Sequence, residues 1–424
     1  MWAEPCIVII NNGLMILFGF IIRKRILIPI LIFHSLFLSV FSLYLLNLPY
    51  IYEDELRLIQ ITSAIKKFII SKEEKPDRKR FLFVNVAWEK QLIEKNDMDG
   101  FPMGNQAITN RVVLADFFSR VNKKPNNHKY LICDISFVAP SVNDEKLQSE
   151  FDKMHNYTVS YHKDENGEPQ NPIFNVSKSI SDYTTFNVDK FIKFKLVQSD
   201  SLTTTPIKIY QDIYNKKIEK GLFYKLDNYY ILNSFIVDFR IWSYDFSDNS
   251  SYKYDYINIG DFKFLPDSAF QKLLKDRIVV IGDFELNDIH ETVYGDMSGP
   301  LILLNTFLAV EKGENRLSVY YLLFILFSFI LINYYVFDVN IRFKEQFSHL
   351  IAKSPIYNEM LRFFLYLFYF SIISSISFFI FNIHISILLF SGYMSSLDII
   401  NNYFADRRQN KRIQQENVFF DIDD

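Results

Sequence analysis

Residues 278–309 read "IVVIGDFELNDIHETVYGDMSGPLILLNTFLA". The order is a strand, a glycine, a loop rich in carboxylates, and then an apolar helix starting near Ser298 and Gly299. This is the strand-to-helix corner of an α/β protein. Open α/β sheets place their clefts at the carboxyl ends of strands, and a helix N-terminus there offers free amides to an anion.

The segments on either side repeat the pattern. "RFLFVNVAW" (80–88) reads as a strand, "AITNRVVLADFFSRV" (107–121) shows helical spacing, and "KYLICDISFVA" (129–139) reads as a second strand. "VNDEKLQSEFDKMH" (142–155) reads as a helix starting near Asn143, and "YTVSYH" (157–162) as a third strand. Strands alternating with helices imply parallel pairing through right-handed crossovers. A polar loop covers 162–172, the region 176–230 has no clear period, and "NYYILNSFIVDFRIW" (228–242) reads as a long strand or hairpin. Then come a proline-started helix (266–274), the strand 276–284 and the helix 300–313, which Gly313 ends as a C-cap. The expected fold class is therefore an α/β domain, a mixed and largely parallel sheet with flanking helices, joined to α-helical transmembrane segments.

Four apolar runs carry the membrane reading. Ile26–Leu48 contains no charge and exceeds the roughly 18–20 residues that cross a bilayer. Val319–Phe337 has tyrosines near both ends, as interfacial belts do, and Phe363–Phe381 with Ile383–Ile400 forms a hairpin turning at Asn382. A further run, residues 6–22, is at the short limit of a span and carries Asn11 and Asn12. It reads as a span, with an interfacial segment or a start at Met15 as alternatives; no basic region precedes it as in a signal peptide. The expected organisation is an N-terminal membrane region (1–49), an extracytoplasmic domain (50–316), three membrane helices (317–400) and a cytoplasmic tail (401–424).

Basic residues orient these runs. Arg23, Lys24 and Arg25, then Arg342, Lys344, Lys353 and Arg362, then Arg407, Arg408, Lys411 and Arg412 all fall on one face if every run spans. Short loops rich in Lys and Arg stay cytoplasmic, so the middle domain lies outside whether the chain has four spans or five.

With a net charge of −3 and no long block of like charges, the chain does not read as a nucleic-acid binder. Cys6 and Cys133 suggest neither a disulfide nor a metal site, and no cofactor is expected. The 43 Phe and 26 Tyr belong mainly to membrane and core. His34 and His384 lie in or beside spans, where Ser or Asn neighbours offer hydrogen bonds.

The residues singled out as ligand-binding candidates are Arg111, Asp134, Asp283, Asp288 and His290. Three uses stand open for the opening stretch: its polar groups tie the loop and cap the helix, hold an external ligand, or perform acid–base chemistry with Asp283, Asp288 and His290. If the loop is extended, alternation puts Asp288 and His290 on one face. Arg111 reads either as a ligand for an acidic molecule or as an internal ion-pair partner, to Asp134 or Asp283.

Taken together, "FLFVNVAW", the Arg in "AITNR", "CDISFVAPSVNDEKLQ" and "DRIVVIGDFELNDIHETVYGDMSGPLILLNTFLAVEKG" resemble bacterial CHASE sensory domains of the second subtype, over residues 76–316. The resemblance implies an extracellular sensor with one span before it and three after. One departure is "NVAWEK", with Ala87 and Trp88 where the family carries an Asp. Another is that only Asn401–Asp424 follow the last span, where the family continues into a cyclase, kinase or phosphatase domain.

Two functions are expected. The first is a sensor subunit that binds a ligand or envelope component and relays it through its helices to a separate output protein. The second is an assembly subunit of an envelope complex. No enzymatic activity is expected; membrane lipid, an unidentified protein partner and a second copy of the chain are the expected partners.

Overall fold

The computed structural model describes residues 27–48, 53–70, 75–96, 101–164, 166–182, 191, 193–199, 202–221, 223–337 and 355–420. The run 6–22, Cys6, Arg23–Arg25, Arg342, Lys344 and Lys353 lie outside the described residues. The chain divides into two compact units, Asn47–Arg316, and Met1–Leu46 with Leu317–Asp424.

In the first unit the centre is a six-stranded sheet. Its strands are β1 (Phe81–Asn85), β4 (Tyr130–Asp134), β5 (Tyr157–Tyr161), β6 (Lys178–Ile180), β7 (Tyr256–Asn258) and β8 (Ile278–Gly282). Their order is β7-β1-β8-β4-β5-β6, and every pairing is parallel. The expected mixed character is absent from this sheet, since antiparallel pairing is confined to separate small sheets. One of these is the hairpin β2 (Lys90–Asn96) with β3 (Pro102–Thr109), inserted between β1 and the next helix. Another pairs β9 (Ile289–Thr292) with β10 (Gly295–Ser298).

Near-continuous apolar strands such as "FLFVN" and "IVVIG" are buried on both faces, as parallel sheets require. Leu82, Val84, Leu131, Cys133, Val159, Val279 and Ile281 face α3 (Arg111–Asn122), α4 (Asp144–Phe151) and α6 (Asp267–Leu274) in one core cluster. By alternation, Phe81, Phe83, Ile132, Ile278 and Val280 are buried on the other side, against which α5 (Thr205–Tyr214) and α7 (Gly299–Lys312) pack. α7 is buried along almost its whole length, which explains why it is apolar all round. Gly313 closes it with a left-handed φ of 77°, as expected of a C-cap.

Two expected elements are corrected. The helix placed over 107–121 begins only at Arg111, because residues 102–109 pair with β2 and Asn110 caps the helix by accepting from the amides of Val112 and Val113. The long strand or hairpin expected over 228–242 is instead two short strands with different partners. Tyr229–Ile231 pairs with Tyr224–Leu226, and Ser234–Ile236 pairs with Lys193–Lys195. Between them Asn233 exchanges hydrogen bonds with the backbone of Val197 at 2.8 and 3.1 Å, which redirects the chain from one sheet to the other. A helix over Glu53–Ile70, α2, went unread in the sequence.

The second unit contains α1 (Leu27–Leu46), α8 (Val319–Phe337), α9 (Pro355–Phe381) and α10 (Ile387–Phe420). Leu27–Leu46, Val319–Phe337 and Met360–Phe381 are long and apolar enough to cross a membrane. The fourth expected span is the apolar start of α10, Ile387–Asn401, which is shorter, and the helix continues without a break through the basic tail residues. In this unit His34 and His384 find the hydrogen bonds expected of them. His34 reaches Asn333 Oδ1 at 2.9 Å and Tyr393 at 2.7 Å, and His384 meets Ser374 at 3.1 Å.

Candidate functional site

Parallel register brings the strand ends together. Asn85 stands beside Gly282, and Gly282 beside Asp134, so β1, β8 and β4 finish level at one edge of the sheet. The chain leaves β1 and β4 toward α3 and α4 on one face, but leaves β8 toward α7 on the other. Where neighbouring strands feed opposite faces, a crevice opens at their carboxyl ends. A cleft of about 520 Å³ lies there, lined among others by Lys90, Gln106, Asp134, His162, Asp283 and Asp288. That volume suits a small molecule. The β2–β3 hairpin contributes one wall through Lys90 and the segment Gln106–Thr109.

Gly282 is required where it stands. A Cβ there would collide with the Pro300 ring and come within 3.3 Å of the Asp134 carbonyl, so only glycine lets α7 begin this close to β8.

Asp283 follows β8 directly and is consumed by its own loop. It accepts from the amides of Glu285 at 3.2 Å, Leu286 at 2.9 Å and Asn287 at 3.3 Å, and from Lys90 Nζ at 3.3 Å. Burial raises its pKa, but these backbone amides and Lys90 outweigh that and hold the carboxyl below its ordinary range. Its chemistry is that of a loop tie.

Asp134, the last residue of β4, is the opposite case. It is 7 % exposed, and its Oδ1 has no hydrogen-bond partner among the described residues. Burial, and after it the negative charge of Asp288, push the carboxyl up to about 7 against the opposing pull of His162, Ser160 and His290.

Asp288 and His290 do share one face, as their alternation predicts. The imidazole Nε2 lies 2.8 Å from Asp288 Oδ1, with His290 held in β9. The Asp288 backbone carbonyl accepts from the amide of Gly299 at 2.8 Å. Its carboxylate abuts Gly299, the first residue of α7, where the helix dipole favours negative charge.

Arg111 does not reach the cleft. Fully buried at the start of α3, it lies 3.5 Å from Asp144 Oδ1, donates to the Ala139 carbonyl at 3.4 Å and covers the Phe137 ring at 4.5 Å. The expectation of an internal ion pair holds, but the partner is Asp144 on α4 rather than Asp134 or Asp283. The ligand role is corrected: an arginine enclosed by two aromatic rings and a helix N-terminal carboxylate has no path to solvent.

Asn85 is the last residue of β1. Its amide bonds Asn258, while its oxygen accepts from the amides of Ala87 and Phe284. This end of β1 is structural.

Sequence reasoning missed His162 and Lys90. His162 follows β5 and meets Asp182 at 3.1 Å; burial lowers its pKa, but Asp182, Asp134 and Asp288 raise it further, to about 9. Its position at a strand end was a usable signal. Lys90 had none, because its hairpin was not recognised. No family model, curated protein or solved structure matches the chain.

Proposed function

We propose that the Asn47–Arg316 unit is the extracytoplasmic binding domain of a multi-pass bacterial membrane protein, a sensor of the kind the CHASE resemblance implies. It takes a small polar molecule at the carboxyl ends of β1, β8, β4 and β5. The observation that carries this reading is the cleft itself, with a buried carboxyl at its wall whose Oδ1 has no hydrogen-bond partner among the described residues. Buried polar atoms are almost always paired, so an exception at a cleft wall points to a ligand.

Placement outside the cytoplasm is supported by the Lys and Arg clusters of the sequence and by the spans, Leu27–Leu46 and Val319–Phe337, that bracket the unit. α7 ends at Lys312, a few residues before α8 begins at Val319, so a ligand that shifts α7 has a short covalent route to a membrane helix. Relay to a partner protein follows only if the ligand favours one arrangement over another.

The assembly reading has one observation in its favour. Leu92 and Met103 are both exposed on the β2–β3 hairpin, two apolar side chains that a docking partner would cover.

Ligand-observed NMR with a fragment library, on the full chain in nanodiscs, tests the binding reading. Hits are expected, and Ser136→Trp, which fills the cleft from an exposed position, should remove them. Hits unaffected by Ser136→Trp, or no hits at all, would sink it. Sidedness is checked with Val142→Cys, a site 98 % exposed. A membrane-impermeant maleimide added to intact cells should label it, and labelling only after lysis would refute the placement.

A further inference from the structure

We infer that the cleft selects a small organic cation, its ammonium group held between the carboxyls of Asp134 and Asp288. The inference rests on the binding reading above and names the ligand's charge.

Charge pairing inside the cleft is uneven. The two resident cations are engaged, Lys90 with Asp283 at 3.3 Å and His162 with Asp182 at 3.1 Å. Asp134 Oδ1 is buried at the cleft wall with no donor among the described residues. A charged donor arriving from solvent therefore finds an acceptor, whereas an arriving anion finds the cations already matched.

The helix N-terminus points the same way. An anion would be drawn to the start of α7, but the carboxylate of Asp288 already abuts Gly299 there. Asp288, with its Oδ1 at 2.8 Å from His290 Nε2, lines the same cleft as Asp134, and its charge helps push the Asp134 carboxyl upward.

A metal ion would use the same charges differently. Among the described residues no three His, Cys, Asp or Glu side chains converge to hold one. Two carboxyls with polar walls suit an ammonium, which needs two or three acceptors and no fixed polyhedron.

Proton linkage supplies a second readout. The groups facing the Asp134 carboxyl are Asp288 from the loop after β8, His290 from β9, and Ser160 and His162 from β5 and its end. With that carboxyl near 7, an ammonium must displace its proton, so binding weakens as pH falls below that value.

The test is isothermal titration of the full chain, in nanodiscs of neutral phosphatidylcholine, with putrescine, 1,4-butanediol and succinate at pH 8 and pH 6. Putrescine is expected to bind, to bind more weakly at pH 6, and to lose at least about tenfold in affinity in Asp134→Asn and in Asp288→Asn. Using both variants keeps the test open should either fail to fold. Equal binding of the diol or of succinate would overturn cation selection while leaving the cleft a binding site. So would putrescine binding that is unchanged in the variants, or no binding by any of the three while the fragment hits remain sensitive to Ser136→Trp. Absence of those hits as well would remove both readings.

Discussion

The carboxyl ends of β8 and β4 lie side by side, with Gly282 opposite Asp134, and each carries an aspartate, yet the two are used in opposite ways. Asp283 turns back into its own loop and is saturated by amides and by Lys90. Asp134 lines the cleft with one oxygen unpartnered among the described residues, and burial, then the neighbouring Asp288, raise its pKa. Neighbouring position in the fold therefore says little about role. What separates scaffold from candidate site is whether local donors exhaust the carboxylate.

Removing the saturated partner should produce the largest effect. Asp283→Ala leaves the amides of Glu285, Leu286 and Asn287 without their acceptor and is expected to cost about 2–3 kcal/mol, read by denaturant titration of tryptophan fluorescence. A loss near zero would show that solvent satisfies this loop and would dissolve the contrast.

A pH series sharpens it next. The folded value of Asp134 lies above that of the unfolded chain, near 3.8. Below that value both states hold the proton; as pH rises toward about 7 the unfolded chain releases it first, and the fold loses stability. Wild type measured against Asp134→Asn should therefore lose ground between about pH 4 and about pH 7. Against Asp283→Asn the sign reverses, because a lowered folded value gives stability above the ordinary aspartate range that disappears as pH falls through it. Parallel profiles for the two comparisons would contradict the assignment of roles.

The smallest effect belongs to Lys90→Met. Its 3.3 Å pair with Asp283 is partly exposed, so about 0.5 kcal/mol is expected in the same titration. A loss of several kcal/mol would mean that the lysine, rather than the backbone amides, holds the loop.

Much of this architecture was legible in the chain because its signals are local. Four of the six sheet strands, β1, β4, β5 and β8, were legible as strand runs, Gly313 announced the end of α7, and the candidate spans showed as uncharged stretches. Lys178–Ile180 and the hairpin Lys90–Thr109 were not read, since "KSI" is too short for a period and "KQLIEKN" is largely exposed, so nothing forces an apolar alternation. The same holds for 228–242, where the pattern of apolar residues is real but the direction change at Asn233 is made by a long-range side-chain bond.

Of the candidate residues, the Asp288–His290 pair was visible because alternation over two residues is a local property. That Arg111 is enclosed by Phe137, Phe174 and Asp144 was not, because those groups come from positions well beyond its own helix. By itself, then, the sequence determined the longer buried strands, the helices after them and the apolar runs, since these follow from the short-range periodicity of burial. Only the tertiary structure decided which carboxylates are used up and which keeps an oxygen without a partner among the described residues. Hydrogen-bond saturation depends on donors delivered by β2, β5 and the loop after β8, and parallel pairing sets them beside one another only once the sheet has formed.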